Sequence, residues 1–308
     1  MKKNKKQTLT VAIPAFNEAE NIKNVLDSLL LQKQKHIVLE KIVVYTDGST
    51  DKTPQIVKEA MKHSPKIYLV FGKHQRGKFY RLNKIFKENT SDILIVLDAD
   101  IGLNGDMFLE NFAASIIGDP KAQLVSAHEL PLIPNNFIGR VIASSYLMWD
   151  QIRWSIPNCD HVQNLYARAT AYRGSFAKTL YIPTKATEER LYLYLMAKKT
   201  NGYRYCRDAS IFYWPVNTIY DYLKLAERAF GRPQPAVNKI FGFDATYFYT
   251  IPKKYKLIGT VKSLYRDPIF TPFALFLGYF LSKMTLGRKT LDLPIWEISL
   301  SSKKSIKL

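Results

Sequence analysis

Cysteine is scarce in this chain: Cys159 and Cys206 are the only two among 308 residues, and they share no metal-ligand spacing. A disulfide scaffold and a Cys-based zinc site are therefore excluded, and a reducing compartment fits. No apolar run of signal-peptide length follows the basic start Met-Lys-Lys-Asn-Lys-Lys, so the expected location is cytoplasmic. No stretch reaches the ~18–20 apolar residues that cross a bilayer. The nearest approach is 268–281 (PIFTPFALFLGYFL), which two prolines interrupt; it is expected to be buried or interfacial. Phosphate-binding glycine motifs are missing too. Neither G-x-x-x-x-G-K-[ST] nor a G-x-G-x-x-G after the first strand occurs, which disfavours a P-loop NTPase and a dinucleotide-binding domain. There is no internal repeat and no low-complexity linker.

What the chain has in excess is positive charge. Lys and Arg number 45 against 26 Asp and Glu, a net +19. Such a balance favours polyanions: nucleotide phosphates, nucleic acid or an anionic membrane surface. A nucleic-acid binder would cluster its basic residues beside stacking aromatics. Here the basic residues are spread along the chain, so a nucleic-acid partner is not expected.

The first 130 residues alternate short apolar runs with helical patterns. Strands are expected at 9–13, 41–45, 66–71 and 93–97. Between them lie helices carrying Ile22, Val25, Leu26, Leu29 and Leu30 on one face, then 53–62 behind Asp51, then Gly77 to Phe86. This alternation implies an α/β fold with a mostly parallel central sheet. Beyond Leu130 the rhythm breaks. Helical patterns recur near 137–154 and 187–199, and 203–213 could return a strand to the sheet. From Phe241 the chain is aromatic and basic. The organisation expected is a catalytic domain over 1–240, its donor half 1–130 and its acceptor half 131–240, with an appendage over 241–308.

Ligands of open α/β sheets bind beyond the carboxyl ends of the strands. The polar residues collect there: Pro14, Asn17 and Glu18 after the first strand; Asp47, Gly48 and Ser49 after the second; Lys73, Gly77 and Lys78 after the third; Asp98 and Asp100 after the fourth. Two aspartates one residue apart suit a hard divalent ion, which takes oxygen ligands and often shares them with substrate phosphates. The plain alternative is that they start a turn and cap the next helix. The histidines, five in all, share no ligand spacing.

At this point the residues resemble a known family. VAIPAFNEAENI (11–22), YTDGSTDKT (45–53), GKFYRLN (77–83) and LDAD (97–100) resemble the four ordered elements of family 2 glycosyltransferases. The resemblance implies a GT-A fold, a Rossmann-like nucleotide-diphospho-sugar transferase fold, with a helical, aromatic and basic C-terminal appendage. By position, Pro14 and Glu18 would contact the nucleoside, with Asn17 and Gly48 beside them, and Asp47 the base. Lys78 would lie near the nucleotide, Asp98 near the ribose or sugar, and Asp100 on Mn²⁺ or Mg²⁺. The family's acidic pair falls on Glu188 and Glu189, Glu-Glu where Glu-Asp is usual, which assigns Glu189 as general base. The alternative there is a helix start, with Thr187 as cap and both Glu complementing the dipole. Tyr172-Arg173-Gly174-Ser175 resembles the stretch before that pair, which makes Arg173 a candidate substrate contact. Glu227 to Arg232 only faintly resembles a Q-x-x-R-W element, with Arg228 or Arg232 as candidate partners of the diphosphate.

The expected activity is divalent-metal-dependent, inverting glycosyl transfer from a nucleotide-diphosphate sugar to a saccharide or lipid-linked acceptor. A sugar nucleotidyltransferase and a non-catalytic sugar-nucleotide or nucleic-acid binder stand as alternatives. Lys253, Lys254, Lys256, Lys262 and Arg266 precede the apolar run 268–281, and Lys283, Arg288 and Lys289 follow it. That pattern raises peripheral contact with the inner face of an anionic membrane.

Overall fold

The computed structural model describes residues 6–183, 189–229, 235–285 and 304–306. The first half is built as its periodicities require: β1 (Gln7–Ala15), α1 (Ile22–Leu30), β2 (Ile37–Thr46), α2 (Thr53–His63), β3 (Ile67–Val70), α3 (Lys78–Glu88) and β4 (Ile93–Leu97). β4 is buried along its whole length, as a wholly apolar strand covered on both faces should be. α1 buries Ile22, Val25, Leu26 and Leu29 but leaves Leu30 exposed. Eight residues beyond Ile22 the helix has turned roughly 80° past two full turns, so Leu30 falls at the edge of the stripe.

Next come β5 (Ile101–Leu103), α4 (Phe108–Ile117), β6 (Leu124–Pro131) and α5 (Phe137–Trp154). They are followed by β7 (Ala169–Arg173), α6 (Gly174–Ala177), α7 (Arg190–Lys198) and β8 (Tyr203–Tyr213). The chain continues through α8 (Ile219–Ala229), α9 (Pro235–Phe241), α10 (Lys253–Arg266) and α11 (Phe270–Thr285). The anticipated return strand 203–213 is thus β8.

Among the described residues eight strands form one sheet, in the order β3-β2-β1-β4-β7-β6-β8-β5. β3, β2, β1 and β4 are parallel to their neighbours, and β6 is parallel to β8. β7 runs antiparallel between β4 and β6, and β5 antiparallel to β8. The parallel set brings the carboxyl ends of β1, β2, β3 and β4 to one edge. β5 and β6 end by Pro131 yet lie beside β7 and β8 at the far side of the sheet, so one sheet joins residues on both sides of that position.

One apolar core packs α1 and α4 against one face of the sheet, and a second packs α3 and α7 against the other. The C-terminal helices lean on α5. Gly259 of α10 sits so close that a Cβ there would come within 2.3 Å of the Ile152 backbone.

Candidate functional site

Three loops at the parallel edge are tied together by hydrogen bonds from the chain itself. Asn17 adopts a left-handed conformation, φ 54°, and its side-chain oxygen accepts from the Thr50 amide at 2.9 Å. The Asn17 amide donates to Ser49 Oγ at 3.1 Å, and the Glu18 amide to Thr53 Oγ1 at 2.8 Å. Asp51 closes the same corner, accepting from the amides of Thr53 and Ala19. Pro14 is buried in β1 beside Tyr45. Gly48 has φ +73°, and a Cβ there would lie 2.6 Å from the Gln75 nitrogen. Glycine is therefore required where the loop after β3 crosses the loop after β2.

Asp47 is the knot of this clamp. Its Oδ1 accepts from the Arg76 amide at 2.9 Å and from Arg81 Nε at 2.7 Å, and its Oδ2 from the Gly77 amide at 2.8 Å. The residue has no exposed surface. Its carboxylate fixes the backbone that leads into Lys78.

At the end of β4 the arrangement is different. Lys78 Nζ lies 3.2 Å from Asp98 Oδ1 and 3.1 Å from Glu189 Oε1, so one ammonium bridges two carboxylates. Asp98 is held by its own amide, which donates to the Arg168 carbonyl at 2.8 Å. The Arg168 guanidinium pairs with Glu129 at 2.5 Å and stacks over the Tyr213 ring, 4.1 Å from its centre. Glu129 is almost wholly buried.

The electrostatics follow from this geometry. Burial lowers the affinity of Lys78 for its proton, but the two carboxylates outweigh it and hold the ammonium firmly charged. Burial pushes the Glu189 carboxyl up, yet Lys78 and a backbone hydrogen bond bring it below the ordinary carboxylate range. Asp98 goes the other way. Burial raises it, Lys78 only partly compensates, and the Asp100 carboxylate nearby raises it further. Burial likewise raises Glu129 against the pull of Arg168.

A divalent ion fits that imbalance. Asp98 Oδ1 is buried, and its close partner is Lys78 Nζ at 3.2 Å, which it shares with Glu189. It and Asp100 are hard oxygen donors whose repulsion a cation would relieve. Among the described residues no group of three or more His, Cys, Asp or Glu gathers into a metal cluster. An ion held here would draw its remaining ligands from water and a bound phosphate.

The structure therefore brings Asp98, Lys78 and Glu189 together, with Asp100 beside them and Asn17, Glu18 and Gly48 on the neighbouring loops. Arg173 is not part of this group. It pairs with Ile93 at the opposite end of β4, roughly 16 Å of strand from Asp98. Its guanidinium donates to the carbonyls of Ile116, Asp119 and Ala122, closing the end of α4. Glu188 and Arg232 lie outside the described residues, as does the side chain of Arg228. Sequence reasoning passed over Arg168 and Glu129. The available signal was a lone carboxylate inside the apolar strand Leu124–Pro131, which burial obliges to find a cation.

The family model described as glycosyl transferase family 2 matches residues 10–175, over half the chain. A poly-beta-1,6-N-acetyl-D-glucosamine synthase of Staphylococcus aureus (strain COL) is 26% identical over 141 residues, 45% of this chain and 32% of that protein. A 4,4'-diaponeurosporenoate glycosyltransferase of Staphylococcus haemolyticus is 34% identical over 108 residues, 34% of this chain and 27% of its own length. The matched stretch thus spans about a third of these relatives. A mannosyltransferase from Pyrobaculum calidifontis, solved with GDP-Man and Mn²⁺, shares the fold: TM-score 0.56, 18% identity, 91% of this chain and 84% of that one. A mannosyl-3-phosphoglycerate synthase from Rubrobacter xylanophilus gives TM-score 0.51 at 13% identity, covering 76% of this chain and 74% of that one.

Proposed function

The chain belongs to glycosyl transferase family 2, and from that premise we propose that it transfers a sugar from a nucleoside-diphosphate sugar to an acceptor hydroxyl, with inversion at the anomeric carbon. The observation that carries this reading is the Asp98–Lys78–Glu189 arrangement at the end of β4, where a cation of the chain separates a metal-type carboxylate from a base-type one.

Glu189 is ionised at neutral pH because Lys78 holds its proton affinity down. It accepts the proton of the acceptor hydroxyl as that oxygen bonds to the anomeric carbon. The bond from that carbon to the diphosphate oxygen breaks in the same displacement, and the nucleoside diphosphate leaves with the electron pair. Lys78 places positive charge beside the donor phosphates. Asn17, Glu18, Pro14 and the Gly48 turn line the nucleoside side of the crevice, and Asp47 shapes that side through the loop it fixes. Asp98 and Asp100 would hold Mn²⁺ or Mg²⁺. Such an ion, when bound, supplies charge neutralisation for the departing diphosphate. The mannosyltransferase complex with GDP-Man and Mn²⁺ supports this choice of donor class and ion. The acceptor in this reading is a saccharide hydroxyl, free or lipid-linked, in keeping with the poly-beta-1,6-N-acetyl-D-glucosamine synthase among the relatives.

The test is a panel of sugar nucleotides assayed for nucleoside-diphosphate release with Mn²⁺, Mg²⁺ or chelator. Release from at least one donor, faster with a saccharide acceptor and lost with chelator, is expected. Tight binding of a sugar nucleotide without release under any condition, acceptors included, would leave a binding protein and end the catalytic reading.

A further inference from the structure

The two C-terminal helices are built inside out. On α10 the buried positions are Gly259 and Ser263, while Leu257, Val261 and Tyr265, four residues apart, face outward with Ile258 beside them. On α11 the buried positions are Thr271, Ala274 and Leu281. Phe273, Phe276 and Phe280, spaced by three and four, are exposed together with Ile269 and Tyr279. Tyr265 is 91% exposed and Phe276 70%, so neither is covered among the described residues. The inner side is small and hydrogen-bonded. Thr271 Oγ1 lies 3.1 Å from Ser263 Oγ, Ser144 donates to Asp267 at 2.8 Å, and Gly259 meets the α5 backbone. A helix on a water-facing surface turns its large apolar residues inward and its polar ones out. Here large apolar residues face outward as well as the polar ones, and ten of them are exposed between Leu257 and Phe280, more than singly scattered exposed residues would give.

Charge identifies what covers them. Lys253, Lys254, Lys256, Lys262 and Arg266 all lie exposed on α10, and Asp267 is the one acidic residue between Ala245 and Thr285. Asp267 is already engaged by Ser144 and the Phe270 amide. A second copy docking by the same face would bring five more cations against these five. Length adds a further constraint. α11 has 16 residues, about 24 Å at the usual rise, short of the ~30 Å hydrocarbon core. Among the described residues no helix is long and apolar enough to cross a membrane.

We propose that α10 and α11 form a docking surface for an anionic lipid bilayer, lying in its interface with the Phe273–Phe276–Phe280 and Leu257–Val261–Tyr265 stripes among the acyl chains and the α10 cations at the headgroups. This surface stands independently of the transfer chemistry at β4.

The experiment is flotation of the full chain with vesicles of phosphatidylcholine alone or with about a third phosphatidylglycerol, at low and high salt. Binding is expected to the anionic vesicles and to be weakened by salt. Phe276→Glu and Phe280→Glu, at exposed positions, should each lower the vesicle partition coefficient roughly tenfold or more, with circular dichroism and melting unchanged. Lys253→Gln with Lys254→Gln should lower it by about fivefold per charge on anionic vesicles only. A Phe276→Trp variant should be quenched by brominated acyl chains, and a Tyr68→Trp variant, on β3, should not. Absence of flotation with either vesicle overturns the proposal, as does concentration-dependent self-association that Phe276→Glu abolishes without any vesicle binding. Membrane association that survives both high salt and alkaline carbonate would mean insertion and overturns it as well.

Discussion

Asp47 and Asp98 stand at the carboxyl ends of β2 and β4, one on each side of β1, and the chain treats them in opposite ways. Asp47 is closed off, with both oxygens engaged by two backbone amides and Arg81. Asp98 has a buried oxygen whose close partner, Lys78, is shared with Glu189, and a raised proton affinity. The two strand ends look alike as sequence, an aspartate after an apolar run. The difference teaches how to separate scaffold from chemistry: a carboxylate satisfied by its own chain holds the fold, and one left short of positive charge is poised for a ligand. Glu110 belongs with Asp47, since it accepts from the amides of Lys35 and His36 and from the His36 ring. Glu189 belongs with Asp98, because its partner Lys78 is shared rather than dedicated.

The comparison breaks most sharply at Glu189. Replacing it with Gln removes the proposed proton acceptor and keeps the shape, so turnover should fall by about 10²–10⁴-fold while the donor dissociation constant barely moves. Steady-state rates beside calorimetric donor binding read the two quantities separately. A mild Glu189→Gln together with a crippling Glu188→Gln would move the base one residue upstream.

Asp47 should show the reverse pattern. Asp47→Ala leaves the buried Arg81 guanidinium without its counter-charge and frees the loop amides of Arg76 and Gly77. A loss of about 3–5 kcal/mol in stability is expected, measured by urea unfolding. Donor binding would then fail only as far as the loop does. A variant as stable as the parent would remove Asp47 from the scaffold class.

Asp100→Asn sharpens the open side. It halves the charge that the Asp98–Asp100 pair offers to an ion, so Mn²⁺-dependent nucleoside-diphosphate affinity should drop by about tenfold or more while the melting temperature holds. Equal affinity with and without Mn²⁺, in parent and variant alike, contradicts the metal role.

The smallest effect is expected at Glu110. Burial raises its carboxyl, but the Lys35 and His36 amides and the His36 ring outweigh this and hold it below the ordinary value of 4.5. A lowered folded-state pKa contributes stability that is fully present above that value and is lost as pH falls through the folded one. Glu110→Gln should therefore cost about 1–3 kcal/mol near neutrality. The gap to the parent should close at pH values below the carboxylate range, as unfolding curves across that span would show. A gap that is constant with pH would mean packing, not charge, is what Glu110 contributes.

Much of this was legible in the one-dimensional pattern. Strand–helix alternation over the first 100 residues and the clustering of Asp47, Lys78 and Asp98 at strand ends are local facts, and short apolar runs bounded by turns write them plainly. Gly48 and Gly77, both left-handed, are likewise local requirements. The lesson stops where partners come from distant segments. Arg173 sits in a familiar-looking stretch, yet β7 runs antiparallel to β4 and carries it to the far end of the sheet. Strand direction is a property of the whole sheet, and a five-residue run does not reveal it. Arg168 and Glu129 are 39 residues apart and meet only because β7 and β6 are neighbours.

By itself, then, the sequence determined the parallel edge, the kinds of side chain that reach it and the basic character of the tail, because periodicity, turn chemistry and charge act over a few residues. Tertiary structure alone decided which aspartate is silent and which is open, that Lys78 is shared between Asp98 and Glu189, and that α10 and α11 turn their aromatic faces outward. Each of these depends on what another part of the chain places within a few ångströms, and hydrogen-bond satisfaction and burial have no meaning until that neighbour is in place.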